Sequence, residues 1–155
     1  MKKLVSAALL AGATSASAAG QFSSLASYDY VFSKPSTATS HTASVINTLV
    51  EYTYPRTLSI YGGFSFILRD SFESTLTLGA RLYTPTPMFY WGGSVPIWSY
   101  VGAGTFLLDN GAYYPEAGLR IGITNNTRLD VFLKVFNSDD TAYDKHATIG
   151  VGLTF

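Results

Sequence analysis

One stretch of the sequence carries residue types that could form a hydrolytic site. His146 and Thr148 lie two positions apart, and a carboxylate such as Glu116 could complete a set of histidine, hydroxyl and acid. In the alternating segment 146–155, however, both residues share the small or polar face with Gly150. A histidine at the rim of a strand, hydrogen-bonded to interior neighbours, explains His146 better than catalysis does. We therefore predict no catalytic residues and expect a protein that is not an enzyme.

The sequence gives little support to a metal or cofactor site. It contains two histidines and no cysteine, so the usual nitrogen and sulfur ligands of a zinc site are scarce. His41 lies in a stretch rich in hydroxyl side chains, where we expect it to be solvated. We predict no metal and no cofactor.

Charged residues recur inside strand-like segments, on the face opposite the Leu, Ile and Val stripe of the same segment. Four are acidic and four are basic: Asp29, Glu51, Glu116, Asp130, Arg69, Arg81, Arg120 and Lys134. A selective pore normally carries a ring of one sign of charge. Charges of both signs in a confined interior pair with each other, because an unpaired buried charge is costly. Together with Tyr61 and His146, these residues predict a charge-balanced polar network that plugs the interior.

The positions of the charges along their segments predict where they meet. Glu51, Arg81 and Asp130 are expected to converge at one depth, near the end where the first strand begins, with Gly63 making room between strands. We expect Asp29, Arg69 and Glu116 to lie nearer the opposite end of the barrel. Arg120 and Lys134 are expected between these two groups.

Eight segments alternate between apolar and polar residues, which is the period of a half-buried strand. We predict strands at 22–32, 42–54, 57–69, 74–83, 97–108, 113–123, 128–136 and 146–155. The Asp109-Asn110-Gly111 turn is a strong hairpin signal. Residues 84–96 contain three prolines, so we expect a long connection or a broken strand start there.

Glycines and aromatic residues indicate which face of the sheet points inward. In a water-soluble barrel the charges would face solvent, whereas in a membrane barrel they line the interior and the apolar stripe faces lipid. Several glycines share the charged face, where they weaken a solvated strand but make room in a narrow barrel: Gly63, Gly79, Gly118, Gly122, Gly150 and Gly152. Aromatic residues near the strand ends resemble two interfacial belts: Phe22, Tyr52, Tyr54, Tyr83 and Trp98 at one rim, and Tyr30, Phe32, Phe66, Tyr113 and Phe136 at the other. Both features favour the membrane barrel.

Residues 1–18 are typical of a cleaved signal peptide. Lys2 and Lys3 precede an apolar run that is too short to cross a bilayer as a helix, and Ala16-Ser17-Ala18 supplies the small residues of a cleavage site. We expect one barrel domain over residues 19–155, exported through the inner membrane to the bacterial outer membrane. Without the signal the chain keeps eight basic and ten acidic residues, a balance that does not indicate a nucleic-acid partner.

The chain beyond residue 18 resembles the small outer-membrane barrels of the OmpA/OmpX type. It shares a cleavable signal, eight alternating strands and a last strand, Gly150-Val-Gly-Leu153-Thr-Phe155, similar to the assembly signal of that class. Ile149 and Leu153 depart from the usual polar and aromatic residues, so Phe155 is the strongest match. The resemblance implies that Gly150, Leu153 and Phe155 are recognised by the outer-membrane assembly machinery. It also implies contact with outer-membrane lipids and lipopolysaccharide, and a monomer.

Three functions are compared on this basis. Some small barrels of this type modify lipid A with an outward-facing serine two places after a histidine, but the residue here is Thr148 and it is predicted to face inward. Adhesion usually needs larger loops than those expected at 33–40, 70–73, 109–112 and 137–144. We therefore expect a structural or envelope-integrity barrel, with a narrow or gated, porin-like channel as the alternative.

Overall fold

A computed structural model describes residues 20–36, 44–55, 57–69, 72–107 and 111–155. The predicted signal peptide, His41 and the first two residues of the Asp109-Asn110-Gly111 turn lie outside the described residues. Within the described part of the chain every regular element is a β-strand. The same residues include no helix that is long and apolar enough to cross a membrane.

The described residues form ten strands, eight of which build the wall of a barrel while the short β5 and β9 flank it. They are β1 (Gln21–Ser33), β2 (Ser44–Thr53), β3 (Leu58–Leu68), β4 (Phe72–Tyr83), β5 (Phe89–Trp91), β6 (Val95–Phe106), β7 (Ala112–Gly122), β8 (Arg128–Val135), β9 (Asn137–Ser138) and β10 (Ala147–Thr154).

The sheet closes on itself and every pairing is antiparallel. The wall strands follow the order β1-β2-β3-β4-β6-β7-β8-β10, and β10 pairs back with β1. Closure removes the free edges that an open sheet would present. The prediction of an all-β, eight-stranded, up-and-down barrel is confirmed, and the strand bounds agree with the predicted ones to within two residues.

The two ends of the barrel differ, and we name them by the chain. The proximal end is where β1 begins and β10 ends, and the distal end is the opposite one, where residues 139–146 lie. At the proximal end β5 pairs with the first residues of β6, with Phe89 opposite Ile97. Residues 84–88 form a connection, while β5 and the first residues of β6, Val95 and Pro96, form an interrupted strand start, so the segment contains both predicted alternatives.

The exterior of the wall is apolar and the interior is polar. Leu78 and Val101 expose 52% and 60% of their surface. By contrast, Glu51, Arg81 and Asp130 expose 0%, 1% and 0%. In water-soluble proteins extended apolar surface is rarely exposed and charged side chains are mostly at the surface. The barrel thus reverses the usual distribution, as the alternation along its strands predicts.

Interior glycines make room for aromatic rings. A Cβ atom at Gly79 would collide with the ring of Tyr61, and one at Gly150 would collide with the ring of Phe132. Gly63 behaves differently, because its Cβ atom would meet the backbone of β2. The prediction that Gly63 lets charged side chains meet was therefore wrong.

Half of the ten predicted belt aromatics are exposed at the strand ends: Phe22, Tyr30, Phe32, Tyr54 and Tyr113. Tyr52 and Phe66 are partly exposed. The strand alternation turns the remaining three inward: Tyr83 and Phe136 are buried and Trp98 is partly buried.

The segment that follows β9 closes the distal end. It was expected to be an exposed acidic loop, yet Ala142 and Tyr143 are buried. They join an apolar cluster beneath the loop: Val45, Ile67, Phe106, Ala112, Tyr114, Phe136, Ala142 and Tyr143. The backbone N–H groups of Tyr143 and Asp144 both donate to Asp140 O at 3.0 Å, which turns the chain back into the barrel.

Candidate functional site in the barrel interior

Two arginines organise the charged residues in the proximal half of the interior. Arg120 donates from Nε and Nη2 to the two carboxylate oxygens of Asp130, each at 2.7 Å, and from Nη2 to Glu51 Oε2 at 2.9 Å. Arg81 donates from Nε and Nη2 to Glu116 at 2.7 and 3.2 Å, and from Nη1 to Asp130 Oδ2 at 3.3 Å. Asp130 therefore bridges the two guanidinium groups and joins both pairs into one network.

The register of the sheet explains why Arg81 and Glu116 meet although β6 lies between their strands. Gly102 of β6 pairs with Arg81 on one side and with Glu116 on the other. Because Gly102 has no side chain, the two charged side chains reach each other above it. A Cβ atom there would lie 2.9 Å from Glu116 Oε1.

Tyrosine hydroxyls occupy further oxygens of these carboxylates. Tyr83 Oη donates to Glu51 Oε1 at 3.0 Å, and Tyr61 Oη donates to Glu116 Oε1 at 3.1 Å. These bonds satisfy acceptors that water would otherwise occupy, which lowers the cost of burying the charges.

Aromatic rings cover the flat faces of the guanidinium groups. Arg81 Cζ lies 4.9 Å from the ring centre of Tyr61 and 4.8 Å from that of Tyr100. Arg120 Cζ lies 4.6 Å from the ring centre of Tyr83. Such contacts are attractive because the π-face of a ring is negative. They also exclude water from the ion pairs.

A separate ion pair lies nearer the distal end. Lys134 Nζ contacts Asp29 Oδ2 at 2.7 Å, and Asn47 Nδ2 donates to Asp29 Oδ1 at 3.1 Å. Asn47 also accepts a hydrogen bond from Ser65, whose hydroxyl in turn contacts Thr77. This second network lies between the two arginines and the apolar cluster of the distal end, so polar side chains line the interior up to that cluster.

The structure places nine of the ten predicted network residues inside the barrel and the tenth, Arg69, at the distal rim. Arg69 follows the last residue of β3, and its side chain is 21% exposed and pairs with Glu73 at 2.9 Å. Its assignment to the interior was wrong, because the strand ends before the alternation reaches it. The buried set is therefore four carboxylates against three cations: Asp29, Glu51, Glu116, Asp130, Arg81, Arg120 and Lys134.

The predicted depths were partly wrong. Arg81 does contact Asp130, but the ion pair of Glu51 goes to Arg120, which was expected farther along. Glu116 was expected near the distal end and instead pairs with Arg81. Strands in a closed barrel are tilted and staggered, so the position of a residue along its own strand does not fix its depth.

Sequence reasoning missed Arg128, which occupies the proximal mouth. It is the first residue of β8 and shares the parity of Asp130 and Lys134, the signal that could have identified it. Arg128 Nη2 donates to the amide oxygen of Gln21 at 3.3 Å. With Trp98, it lines two cavities of about 190 and 340 Å³.

The residues of the considered hydrolytic set do not form one. His146 and Thr148 are fully buried, and neither His146 Nε2 nor Thr148 Oγ1 has a hydrogen-bond partner. His146 Nδ1 instead lies 2.9 Å from the backbone oxygen of Asp144. Glu116 is engaged by Arg81 and Tyr61. In the described residues, no three His, Cys, Asp or Glu side chains are grouped so that they could hold a metal ion.

The predicted assembly-signal residues follow the seam between β10 and β1, from Gly150 opposite Asp29 to Leu153 opposite Ala26 and Phe155 at the proximal end. Leu153 and Phe155 are exposed on the exterior, whereas Gly150 faces inward. Phe155 extends the pairing, since its N–H donates to Ser24 O at 3.0 Å and its oxygen accepts from Ser24 N at 2.8 Å.

A contact at the distal rim holds the inward-folded segment. Tyr143 Oη donates to Glu73 Oε2 at 2.6 Å, and the guanidinium of Arg69 lies 5.3 Å from the Tyr143 ring centre. Burial, followed by the hydrogen bond to Glu73, raises the pKa of Tyr143 above its ordinary value.

Comparison of the chain with protein-family models, with curated proteins and with solved structures finds no match. The class is accordingly defined by the fold and its interior: a closed eight-stranded barrel with an apolar exterior and a polar, ion-paired core.

Proposed function

We propose that this protein is an integral outer-membrane β-barrel of a Gram-negative bacterium, with a structural or envelope-integrity role and an interior plugged by its polar network. The observation that carries the proposal is the reversed distribution of side chains. Leu, Ile, Val and Phe cover the exterior of the wall while seven charged side chains are buried inside it.

A hydrocarbon environment accounts for this distribution and water does not. A soluble monomer rarely exposes apolar patches larger than a few hundred Å², whereas here the apolar surface continues around the strands. Within lipid every backbone polar group needs an internal partner, and a closed barrel provides one for each strand. The interior of such barrels is polar, which matches the buried ion pairs.

The interior contacts support a plug more than an open pore. Arg81, Arg120 and Lys134 each hold at least one carboxylate at 2.9 Å or less. Rings pack on the same cations, and the apolar cluster lies across the distal end. A conducting path would need these contacts to separate.

The proposed setting has specific partners. The exterior contacts outer-membrane lipids and, in the outer leaflet, lipopolysaccharide. The assembly machinery recognises β10 through Gly150, Leu153 and Phe155, and residues 1–18 direct export. We propose that the barrel acts as a monomer and that it is not an enzyme, since the buried His146 and Thr148 cannot meet a lipid acyl chain.

Fractionation combined with heat-modifiable gel mobility tests this proposal. Expressed in a Gram-negative host, the protein should be found in the outer-membrane fraction and should migrate faster unheated than after boiling. Recovery from the periplasm as a soluble protein of unchanged mobility would contradict it. Lipid A from cells with and without the protein should have the same mass spectrum, and a changed acyl pattern would indicate an enzyme instead.

A narrow or gated channel is the second candidate, and one observation favours it. The proximal cavity of about 190 Å³ reaches Arg120, while the distal end is closed by one segment held through Tyr143 and Glu73. Release of that segment would withdraw Ala142 and Tyr143 from the apolar cluster that lies across the distal end. Planar-bilayer recordings distinguish the two functions: a plug gives no single-channel steps, and a gated channel gives steps that respond to voltage or to loss of Tyr143.

A further inference from the structure

The proximal mouth contains a cavity whose lining combines positive charge with flat aromatic walls. Its volume is about 190 Å³, and its lining comes from the ends of five strands: Thr53, Tyr83, Trp98, Arg120 and Arg128. A second cavity of about 340 Å³ shares Trp98 and Arg128 with the first and is lined further by Ser94, Pro96 and residues 122–125. The two cavities meet at this pair of residues.

Arg128 differs from the buried cations because it lacks an ionic partner. None of the carboxylates in the described residues lies within 4 Å of it, and its hydrogen bond to Gln21 is long and goes to a neutral amide. Arg120 lines the same cavity but is already engaged by Asp130 and Glu51. Neither cavity has an Asp or Glu in its lining. The Arg128 guanidinium is therefore the cationic group of this mouth that is left to bind an anion.

The dimensions of the first cavity limit what can enter. An apolar cavity of about 150 Å³ holds a benzene molecule, so a volume of about 190 Å³ admits one six-membered ring with a small substituent. Trp98 supplies a flat wall for such a ring, and Tyr83, whose ring also packs on Arg120, borders the same cavity. Gly122 lines the second cavity on the other side of Trp98 and Arg128, where a Cβ atom would lie 3.3 Å from Trp98 Cζ3.

We propose that the proximal mouth binds a small aromatic carboxylate. The ring lies against Tyr83 and Trp98, and the carboxylate accepts hydrogen bonds from the Arg128 guanidinium. A planar carboxylate matches the fork of donors that arginine presents. Binding is non-covalent and leaves the interior ion pairs intact. The site goes beyond the proposed structural role, since a plug alone requires no ligand.

Tryptophan fluorescence provides a direct test, because the chain has only two tryptophans, Trp91 and Trp98. Trp91→Phe removes the exposed one on β5 and leaves Trp98 as the reporter inside the site. The full chain is refolded into detergent micelles and titrated with benzoate, with benzyl alcohol as a ring without charge, and with inorganic phosphate as a charge without a ring. We expect saturable change with benzoate and affinities weaker by about tenfold or more for the two other probes.

Each alternative result overturns the proposal. Equal binding of benzyl alcohol would mean a merely apolar cavity, and equal binding of phosphate would mean a general anion site. An unchanged Trp98 signal with benzoate would mean no site. These comparisons use one folded protein, so they do not depend on whether a substitution at Arg128 disturbs folding.

Variants then assign the contact. Arg128→Gln should weaken benzoate binding by about tenfold or more, while Arg128→Lys should retain part of it. Lys34→Gln, which removes an exposed charge near the distal end, is the matched control and should bind benzoate like the parent. Equal affinity in Arg128→Gln and Lys34→Gln would overturn the assignment. The titration requires only the folded barrel, so its failure leaves the gel-mobility result for the membrane proposal unaffected.

Discussion

At the proximal end of the interior, Arg81 and Arg120 are held between carboxylates and aromatic rings. At the distal end, Phe106, Phe136 and Tyr143 pack against one another with few polar contacts. The same wall of eight strands surrounds both regions, and in both the side chains fill most of the interior. They do so by opposite means, one through pairwise charge and the other through apolar area.

The difference teaches where the barrel is sensitive to a single substitution. An ion pair in a confined space has already lost its hydration, so removal of one partner leaves the other as an uncompensated charge. An apolar cluster loses stability in proportion to the contacts removed. We therefore expect one substitution in the proximal network to cause a large loss in the free energy of unfolding. A substitution in the distal cluster should cause a smaller loss that scales with the contacts removed.

The largest effect is expected at the seam beside the proximal end. Deletion of Phe155 removes two backbone hydrogen bonds to Ser24 and the exposed ring of the proposed assembly signal. The protein that lacks Phe155 should be absent from the outer membrane, as measured by immunoblot of the outer-membrane fraction. Phe72→Ala removes an exposed ring at the distal end and should leave the outer-membrane level unchanged. Normal levels of the deletion protein would count against the role of Phe155.

The proximal network predicts strong non-additivity between Arg81 and Glu116. Arg81→Met leaves the buried Glu116 without its ion-pair partner and should lower the free energy of unfolding by about 3–5 kcal/mol. Arg81→Met with Glu116→Gln removes both charges and should cost much less. Urea titrations of the barrel in bilayers measure both values. An Arg81→Met protein as stable as the parent would show that the ion pair is not buried in the way described.

A substitution on the exterior tests the wall that both ends share. Leu78→Arg places a charge near the middle of the proposed hydrocarbon region and should destabilise the barrel by about 2–4 kcal/mol. Ile123→Arg, on an exposed residue of a proximal turn, should cost about 0–1 kcal/mol because it lies at the interface. The same urea assay compares the two. Equal tolerance of arginine at both positions would favour a barrel surrounded by water.

The smallest effect is expected at the distal rim. Tyr143→Phe removes the hydrogen bond to the partly exposed Glu73 but keeps the ring in the apolar cluster. We expect a loss of about 1 kcal/mol and faster proteolysis within residues 139–146. Tyr113→Phe removes a hydroxyl from an exposed ring on the same end and provides the control. If Tyr143→Phe lowered the free energy of unfolding as much as Arg81→Met does, the expected contrast between the two ends would be wrong.

The barrel could be predicted from the sequence because its signal is local. Alternation along each strand assigned Leu78 to the exterior and Arg81 to the interior, and the structure agrees at both positions. The inward burial of Tyr83 and Phe136 was also implied by alternation, but their aromatic character suggested an interfacial belt. The strand pattern was the better guide because it fixes side-chain direction, whereas residue type only favours an environment.

The pairing of the charges could not be predicted in the same way. The contact between Arg81 and Glu116 depends on the register that places Gly102 between them, and register is a property of the assembled sheet. The inward fold of Tyr143 depends on a turn stabilised by Asp140 and on a cluster built from several strands. Such contacts join residues that are distant in sequence, so no single segment contains their signal.

The central claim is that the apolar exterior of the wall contacts lipid, and spin-label accessibility tests it most directly. The chain has no cysteine, so Leu78→Cys and Asn125→Cys each give a single nitroxide attachment site in the barrel reconstituted in bilayers. We expect the label at Leu78 to be relaxed by oxygen and shielded from a water-soluble nickel complex, and the label at the exposed Asn125 to show the reverse. Equal access of the nickel complex to both labels would contradict the account.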